Sequence, residues 1–126
     1  MIRQREFDNY QTLTGILHRA GIPILAGTDA PEPFVTPGFS LHQELELLVA
    51  SGLSTAAALQ AATINNARIV NQGDKLGRIE PGMIADLVIL CADPLTDIRR
   101  TRQIEHVVHD GQVVNPADIL RSMPEK

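Results

Sequence analysis

Residues 5–26 join an amphipathic helix to a short strand that is apolar on both faces, and this limits what the rest of the chain can build. Phe7, Tyr10, Leu13, Ile16, Leu17 and Ala20 recur at helical spacing and form one apolar stripe. Gly21 supplies a C-terminal stop, and Pro23 blocks continuation. Ile24, Leu25 and Ala26 then read as a strand with no polar side, the kind found in a parallel sheet covered on both faces. A parallel strand cannot stand alone, and no second one of this kind is evident. The chain is therefore expected to be α/β and to hold only part of a larger architecture.

The remaining elements follow from local signals. Residues 30–39, rich in proline, read as a loop. Ser40 fits an N-cap, with Gln43 completing a capping box. The helix that follows should run to about Ser51, bury Leu41, Leu45, Leu48 and Val49, and end at Gly52. Ser54 can cap an Ala-rich helix, with another helical piece over 65–70. From Asn71 the character changes. Pro81-Gly82 suits the centre of a type II turn, and Leu87–Leu90 reads as a strand. Asp110-Gly111 predicts a two-residue hairpin that pairs His109 with Gln112, Val108 with Val113 and Val107 with Val114. One or two helical turns are expected over 117–123. Residues 1–70 and 71–126 thus form two parts, each incomplete.

Composition removes several function classes. A chain of 126 residues suits one ordinary domain, and 44% apolar content supports a core. Aromatics are only 3%, so that core must be aliphatic. The net charge is −4, and Arg99, Arg100 and Arg102 lie together without aromatic interleaving, so nucleic-acid binding is not expected. Asp86 interrupts the most apolar segment, which is too short to cross a membrane. The N-terminal ten residues lack the apolar run of a signal peptide. The single cysteine, Cys91, excludes an internal disulfide and reads as a small buried hydrophobe.

Few residues could carry chemistry. Asp29 follows Ala26-Gly27-Thr28 at the carboxyl end of the apolar strand, where ligands bind in α/β proteins. There it could bind a divalent metal and take a proton from metal-bound water. "TDAP" is equally a turn composition, so Asp29 can also be a loop cap. His42 could bond a substrate or a carboxylate, or be a plain helical surface residue. His106 and His109 are three apart on a strand, point to opposite faces and should not share a metal. His18 suits a helix C-terminus. Glu44 and Glu46 do not face each other on a helix.

Four stretches, in order, resemble one family: "IPILAGTDA", "PGFSLHQELELLVASGLSTAAALQAATINNAR", "LGRIEPGMIADLVIL" and "ADPLTDIRRTRQIEHVVHDGQVV". Together they are similar to the C-terminal third of the metal-dependent amidohydrolase superfamily, in its imidazolonepropionase-like and Xaa-Pro-dipeptidase-like branch. The resemblance implies the last helix–strand–helix part of a (β/α)8 TIM-like barrel over 1–70, and over 71–126 the C-terminal strands of a small β-sandwich. It implies that Asp29 is a metal ligand and proton shuttle, with Thr28 and His42 lining the substrate site. It further implies a divalent metal, zinc by expectation, in the full-length parent, held weakly or not at all by this chain. The implied substrate is a small amide, cyclic amide or dipeptide, and the implied location is cytoplasmic. Met83 stands where the family often has Lys, and Ser54-Thr55 where it often has Thr-Pro. The family's other metal ligands have no counterpart here, and a full barrel needs about 250 residues. The competing expectation is a non-catalytic remnant that covers its unpaired edges and apolar helix face by self-association, as a homo-oligomer, or by binding a partner.

Overall fold

The structure is a computed structural model that describes residues 2–115 and 121. The helical turns expected over 117–123 lie outside the described residues, apart from Arg121. Helix α1 (Ile2–Arg19) leads into an extended segment and a loop. Helices α2 (Phe39–Ala50), α3 (Thr55–Ala62) and α4 (Ile64–Ile69) follow. The second part holds strand β1 (Leu87–Leu90), a 3-10 helix (Ile98–Arg102), and strands β2 (Ile104–His109) and β3 (Gln112–Val114). The three strands form one antiparallel sheet in the order β1-β2-β3. Among the described residues the architecture is thus mixed α/β, with no barrel. None of the described helices is long and apolar enough to cross a membrane.

The core is aliphatic, as the low aromatic content requires. Ala26, Leu45, Leu48, Leu53, Ala58, Ala61 and Ile98 form one buried cluster, with Ile24, Val49, Ala57, Leu59 and Ala62 packed against it. Ala58 and Ala61 are fully buried, and their small side chains let α3 approach its neighbours closely. Ile98 brings the 3-10 helix of the second part into the same core.

The hairpin has the expected register, with Val107 opposite Val114, Val108 opposite Val113 and His109 opposite Gln112. Asp110 and Gly111 both take positive φ, 48° and 74°, which matches the right-handed twist of the flanking strands. Outside the hairpin, the Asp86 carboxylate accepts from the Asp110 N–H at 2.8 Å and bonds His109 Nδ1 at 3.1 Å. The Gly111 N–H donates to the Ala85 carbonyl. Met83 N–H donates to Glu80 O across Pro81-Gly82, where Gly82 has φ 90°. Ser54 caps α3 as expected, accepting from the Ala57 N–H at 3.1 Å.

Four expectations are corrected. Ile24–Ala26 is extended but belongs to no sheet among the described residues. Ser40 is not an N-cap: α2 starts at Phe39, two residues earlier, with Gly38 at the cap position, and the Ser40 hydroxyl accepts from the Thr36 N–H instead. The loop's own amide competes for that hydroxyl and wins. Cys91 is exposed, just past the end of β1, whose Val88 and Ile89, on opposite faces of the strand, are also open. Finally, Leu41 of the stripe expected to be buried on α2 is exposed. The apolar stripe of α1 is exposed at Phe7, Tyr10, Leu13, Ile16 and Leu17, which is the open helix face that the competing expectation describes. Helix α1 meets α2 through Gly15, which is buried, and not through its large side chains.

That contact is tight. A Cβ added at Gly15 would lie 2.3 Å from the Ser51 carbonyl oxygen and 3.2 Å from the Arg19 guanidinium. Alanine gains about 1 kcal/mol of helix propensity over glycine, but a backbone oxygen cannot swing aside as a side chain can. Gly15→Ala is therefore expected to destabilise the chain by about 1–3 kcal/mol. A lowered urea midpoint with an unchanged m-value would register this, and an unchanged or raised midpoint would show that α1 is not seated on α2 through Gly15.

Candidate functional site

The extended segment after α1 carries the candidate site, and its backbone groups find partners outside any ladder. Asn65 Nδ2 donates to the Ile24 carbonyl at 3.0 Å, and Asn66 Nδ2 donates to the Ala26 carbonyl at 2.9 Å. The Ala26 N–H donates to the Ala61 carbonyl at 3.1 Å. Two adjacent asparagines at the start of α4 and the last turn of α3 therefore do what a neighbouring strand does in a sheet. A buried amide or carbonyl without a partner is costly, so these bonds decide the course of the segment.

Asp29 ends the segment. It is exposed and takes φ 54°, a left-handed conformation that aspartate tolerates better than most residues. Its carbonyl accepts from the Glu32 N–H at 3.0 Å and opens the loop to α2. Both earlier readings of Asp29 thus meet: it forms a turn, and its carboxylate stands beyond the end of the apolar segment. Thr28, half-buried, precedes it. On the α2 side, burial pushes the half-buried Glu44 carboxyl above the usual range, against the opposing effect of the Gly27 backbone N–H.

His42 lies elsewhere. Residues 42 and 44 are about 200° apart around α2, so their side chains leave opposite sides of the helix. The His42 ring meets the 3-10 helix, with Nδ1 3.0 Å from the Thr101 hydroxyl. Thr101 is buried and its hydroxyl donates to the Ile98 carbonyl at 2.9 Å. A hydroxyl has one proton, so Nδ1 must be the donor to Thr101, and in the neutral ring Nε2 keeps its lone pair. Burial lowers the His42 pKa, and the Arg102 guanidinium lowers it further against the opposing pull of Glu46. Arg102 pairs with Glu46 and lies 4.9 Å over the Phe39 ring. Asp97 opens the 3-10 helix: bonding from the Arg99 side chain, with its backbone N–H, holds the Asp97 carboxyl down at about 2.

The other histidines sit apart from Asp29. His109 belongs to the hairpin through Asp86, and His106 lies 4.0 Å from Glu105. Among the described residues no three His, Cys, Asp or Glu side chains group so as to hold a metal. A cavity of about 380 Å³ lined by Pro23, Leu25, Asn65, Arg68 and Ile69 lies toward the start of the segment, away from Asp29. The sequence assigned no site or structural bond to Asn65, Asn66 and Thr101, and Asp86 counted only as a break in an apolar segment. The adjacent asparagines in an otherwise apolar helical stretch were the one available signal.

A model of the amidohydrolase family matches residues 5–114. An imidazolonepropionase of Geobacillus kaustophilus is 34% identical over 99 residues, covering 75% of this chain and 23% of the relative. The crystal structure of phenylurea hydrolase B superposes with a TM-score of 0.78 at 31% identity, over 89% of this chain and 28% of that one. A Xaa-Pro dipeptidase with bound methionine in its active site gives 0.75 at 30% identity, over 83% and 25%. The chain spans about a quarter of the length of these proteins.

Two outcomes are expected. Asn66→Leu leaves the Ala26 carbonyl without its donor and should cost about 1–3 kcal/mol; an unchanged urea midpoint would remove the asparagine from this role. His42 has a lowered folded-state pKa, so its contribution is present above the unfolded value of about 6.5 and is lost as pH falls toward the folded value. Between pH 7 and 5 the urea midpoint should fall more in the parent chain than in His42→Asn, which keeps a donor near Nδ1 but does not titrate. Parallel pH profiles would contradict this.

Proposed function

Because the chain belongs to the amidohydrolase family, we propose that it forms the last helix–strand–helix part of a (β/α)8 barrel and the C-terminal strands of a β-sandwich. The complete enzyme would hydrolyse a C–N bond in a small amide, cyclic amide or dipeptide. The observation that carries this reading is Asp29 at the carboxyl end of an apolar extended segment set between two helices. No described strand pairs with that segment. In a barrel, an incoming strand would lie against it, and Asp29 would stand at the face where catalytic groups gather.

A divalent metal, with zinc the expected ion, needs more donors than this chain gives. Asp29 is a single carboxylate, whereas catalytic zinc takes three protein ligands. The residues of this chain do not by themselves fit a metal, and Asp29 fits as one member of a set completed from outside the chain. When bound, such an ion makes water a nucleophile near neutral pH. Asp29 would accept a proton from the attacking water and return it to the leaving nitrogen, while Thr28 would line the approach. His42 would be a further substrate-lining group, with its unprotonated Nε2 the atom free to bond.

The test is metal content and turnover of the chain on amide and Xaa-Pro dipeptide substrates. Sub-stoichiometric zinc and no turnover are expected, with the residual metal binding lost in Asp29→Asn. Stoichiometric tight zinc with robust turnover would overturn the reading. The exposed apolar stripe of α1 favours a second reading, a non-catalytic chain that self-associates. Light scattering addresses it, and a stable monomer would count against it.

A further inference from the structure

The extended segment after α1 has two edges in different states. In an extended chain the N–H and carbonyl of one residue point to one edge, and those of the next residue to the other. The edge of Ile24 and Ala26 is closed. Asn65 holds the Ile24 carbonyl, Asn66 holds the Ala26 carbonyl, and the Ala61 carbonyl takes the Ala26 N–H. No strand can pair there without displacing these bonds. The edge of Leu25 is open. Neither its N–H nor its carbonyl has a partner among the described residues, and its side chain is exposed. Pro23, on the same edge, has no N–H, so Leu25 supplies the donor.

An open edge is a template for another strand. Its surroundings suit a second copy of this chain, paired antiparallel. Residues 20–28 carry no charge, so two copies of this edge meet without like-charge repulsion. Arg19, with His18 when protonated, lies before this stretch, and Asp29 and Glu32 lie after it. Arg19, Asp29 and Glu32 are all exposed. Antiparallel pairing turns the acidic end of each copy toward the basic end of the other, whereas parallel pairing aligns like charges. It also sets Leu25 opposite its own counterpart across a two-fold axis, where the two residues exchange both N–H···O=C bonds. The cavity lined by Pro23, Leu25, Asn65, Arg68 and Ile69 adjoins this edge and gives the incoming leucine apolar surface to cover. Arg68 there is exposed and keeps its charge in water.

We propose that the Leu25 edge is the self-association surface of this chain: two copies pair antiparallel, Leu25 against Leu25, and the Ile24–Ala26 edge stays outside the contact. The proposal rests on the second reading above and gives it a surface, an orientation and a register.

The experiment is sedimentation velocity over a concentration series, with amide hydrogen exchange on the whole chain, in the parent, Leu25→Pro and Leu25→Lys. The parent is expected to dimerise reversibly. Across the dimerisation range, exchange at the Leu25 amide should slow about tenfold, as one gained hydrogen bond would cause. The Ala26 amide, already bonded, should not change. Leu25→Pro removes the donor from both copies, and Ile24 before it is already extended, as proline requires. It should raise the dimer dissociation constant about ten- to hundredfold. Leu25→Lys keeps the donor but sets two ammonium groups opposite each other, and should weaken the dimer too. Protection of Ala26 reports whether each variant is folded, and the lysine variant decides if proline unfolds the segment. A dimer whose Leu25 exchange does not slow, or one that survives both substitutions, would overturn the proposal and leave self-association to another surface. A monomer at every concentration would overturn the self-association reading along with it.

Discussion

The backbone of residues 24–26 needs hydrogen-bond partners that no described strand provides, and much of the helical part is arranged around meeting that need. Two kinds of group meet it: a helix carbonyl from Ala61 and side-chain amides from Asn65 and Asn66. Each comes from an element that must approach closely. The buried alanines at 58 and 61 allow this, since any larger side chain there would lift α3 off the segment. The small-residue core and the polar contacts are therefore one solution. Close packing brings the donors within reach, and the donors give the extended segment a unique path.

Helix α2 connects this arrangement to the second part of the chain. Its buried Leu45 and Leu48 pack in one cluster with Ala26, and its His42 holds the 3-10 helix through Thr101. The Arg102–Glu46 pair and the stacking of Arg102 on Phe39 add to that second contact, and Ile98 buries itself in the shared core. His42 must donate from Nδ1 for Thr101 to satisfy the Ile98 carbonyl, so the tautomer is set by a hydroxyl that has only one proton to give. A helix that reads as simply amphipathic thus fastens the Asp29 segment on one side and the sheet-bearing part on the other.

How much of this was legible depended on the range of each interaction. The Asp110-Gly111 turn and the Ser54 cap are decided within four residues, and both form as their sequences imply. Ser40 carries an equally good local signal and fails, because Thr36 offers its hydroxyl a competing amide. The Asn65 and Asn66 contacts span about forty residues, and nothing in a helical pattern tells which carbonyl an amide will find. Asp29 was identified from its place after an apolar run and from the family resemblance. The aliphatic core followed from composition alone, since so few aromatic residues left no other material.

The exposed stripe on α1 follows from the same logic. Helical periodicity identifies a face that wants burial, but it does not say against what. Here α1 is held to α2 by Gly15, where backbone meets backbone, and its large apolar side chains are turned away from that contact. Leu25 of the extended segment is likewise open. A helix and an adjacent extended segment that both present apolar surface are what a closed α/β ring would use to receive its next strand and helix. The same surfaces in an isolated chain are what self-association would cover. The two fates call on one set of side chains, so they exclude each other: a copy of the chain docked over α1 and Leu25 occupies the space the rest of a barrel would need. Completion of the Asp29 site and self-association should therefore compete.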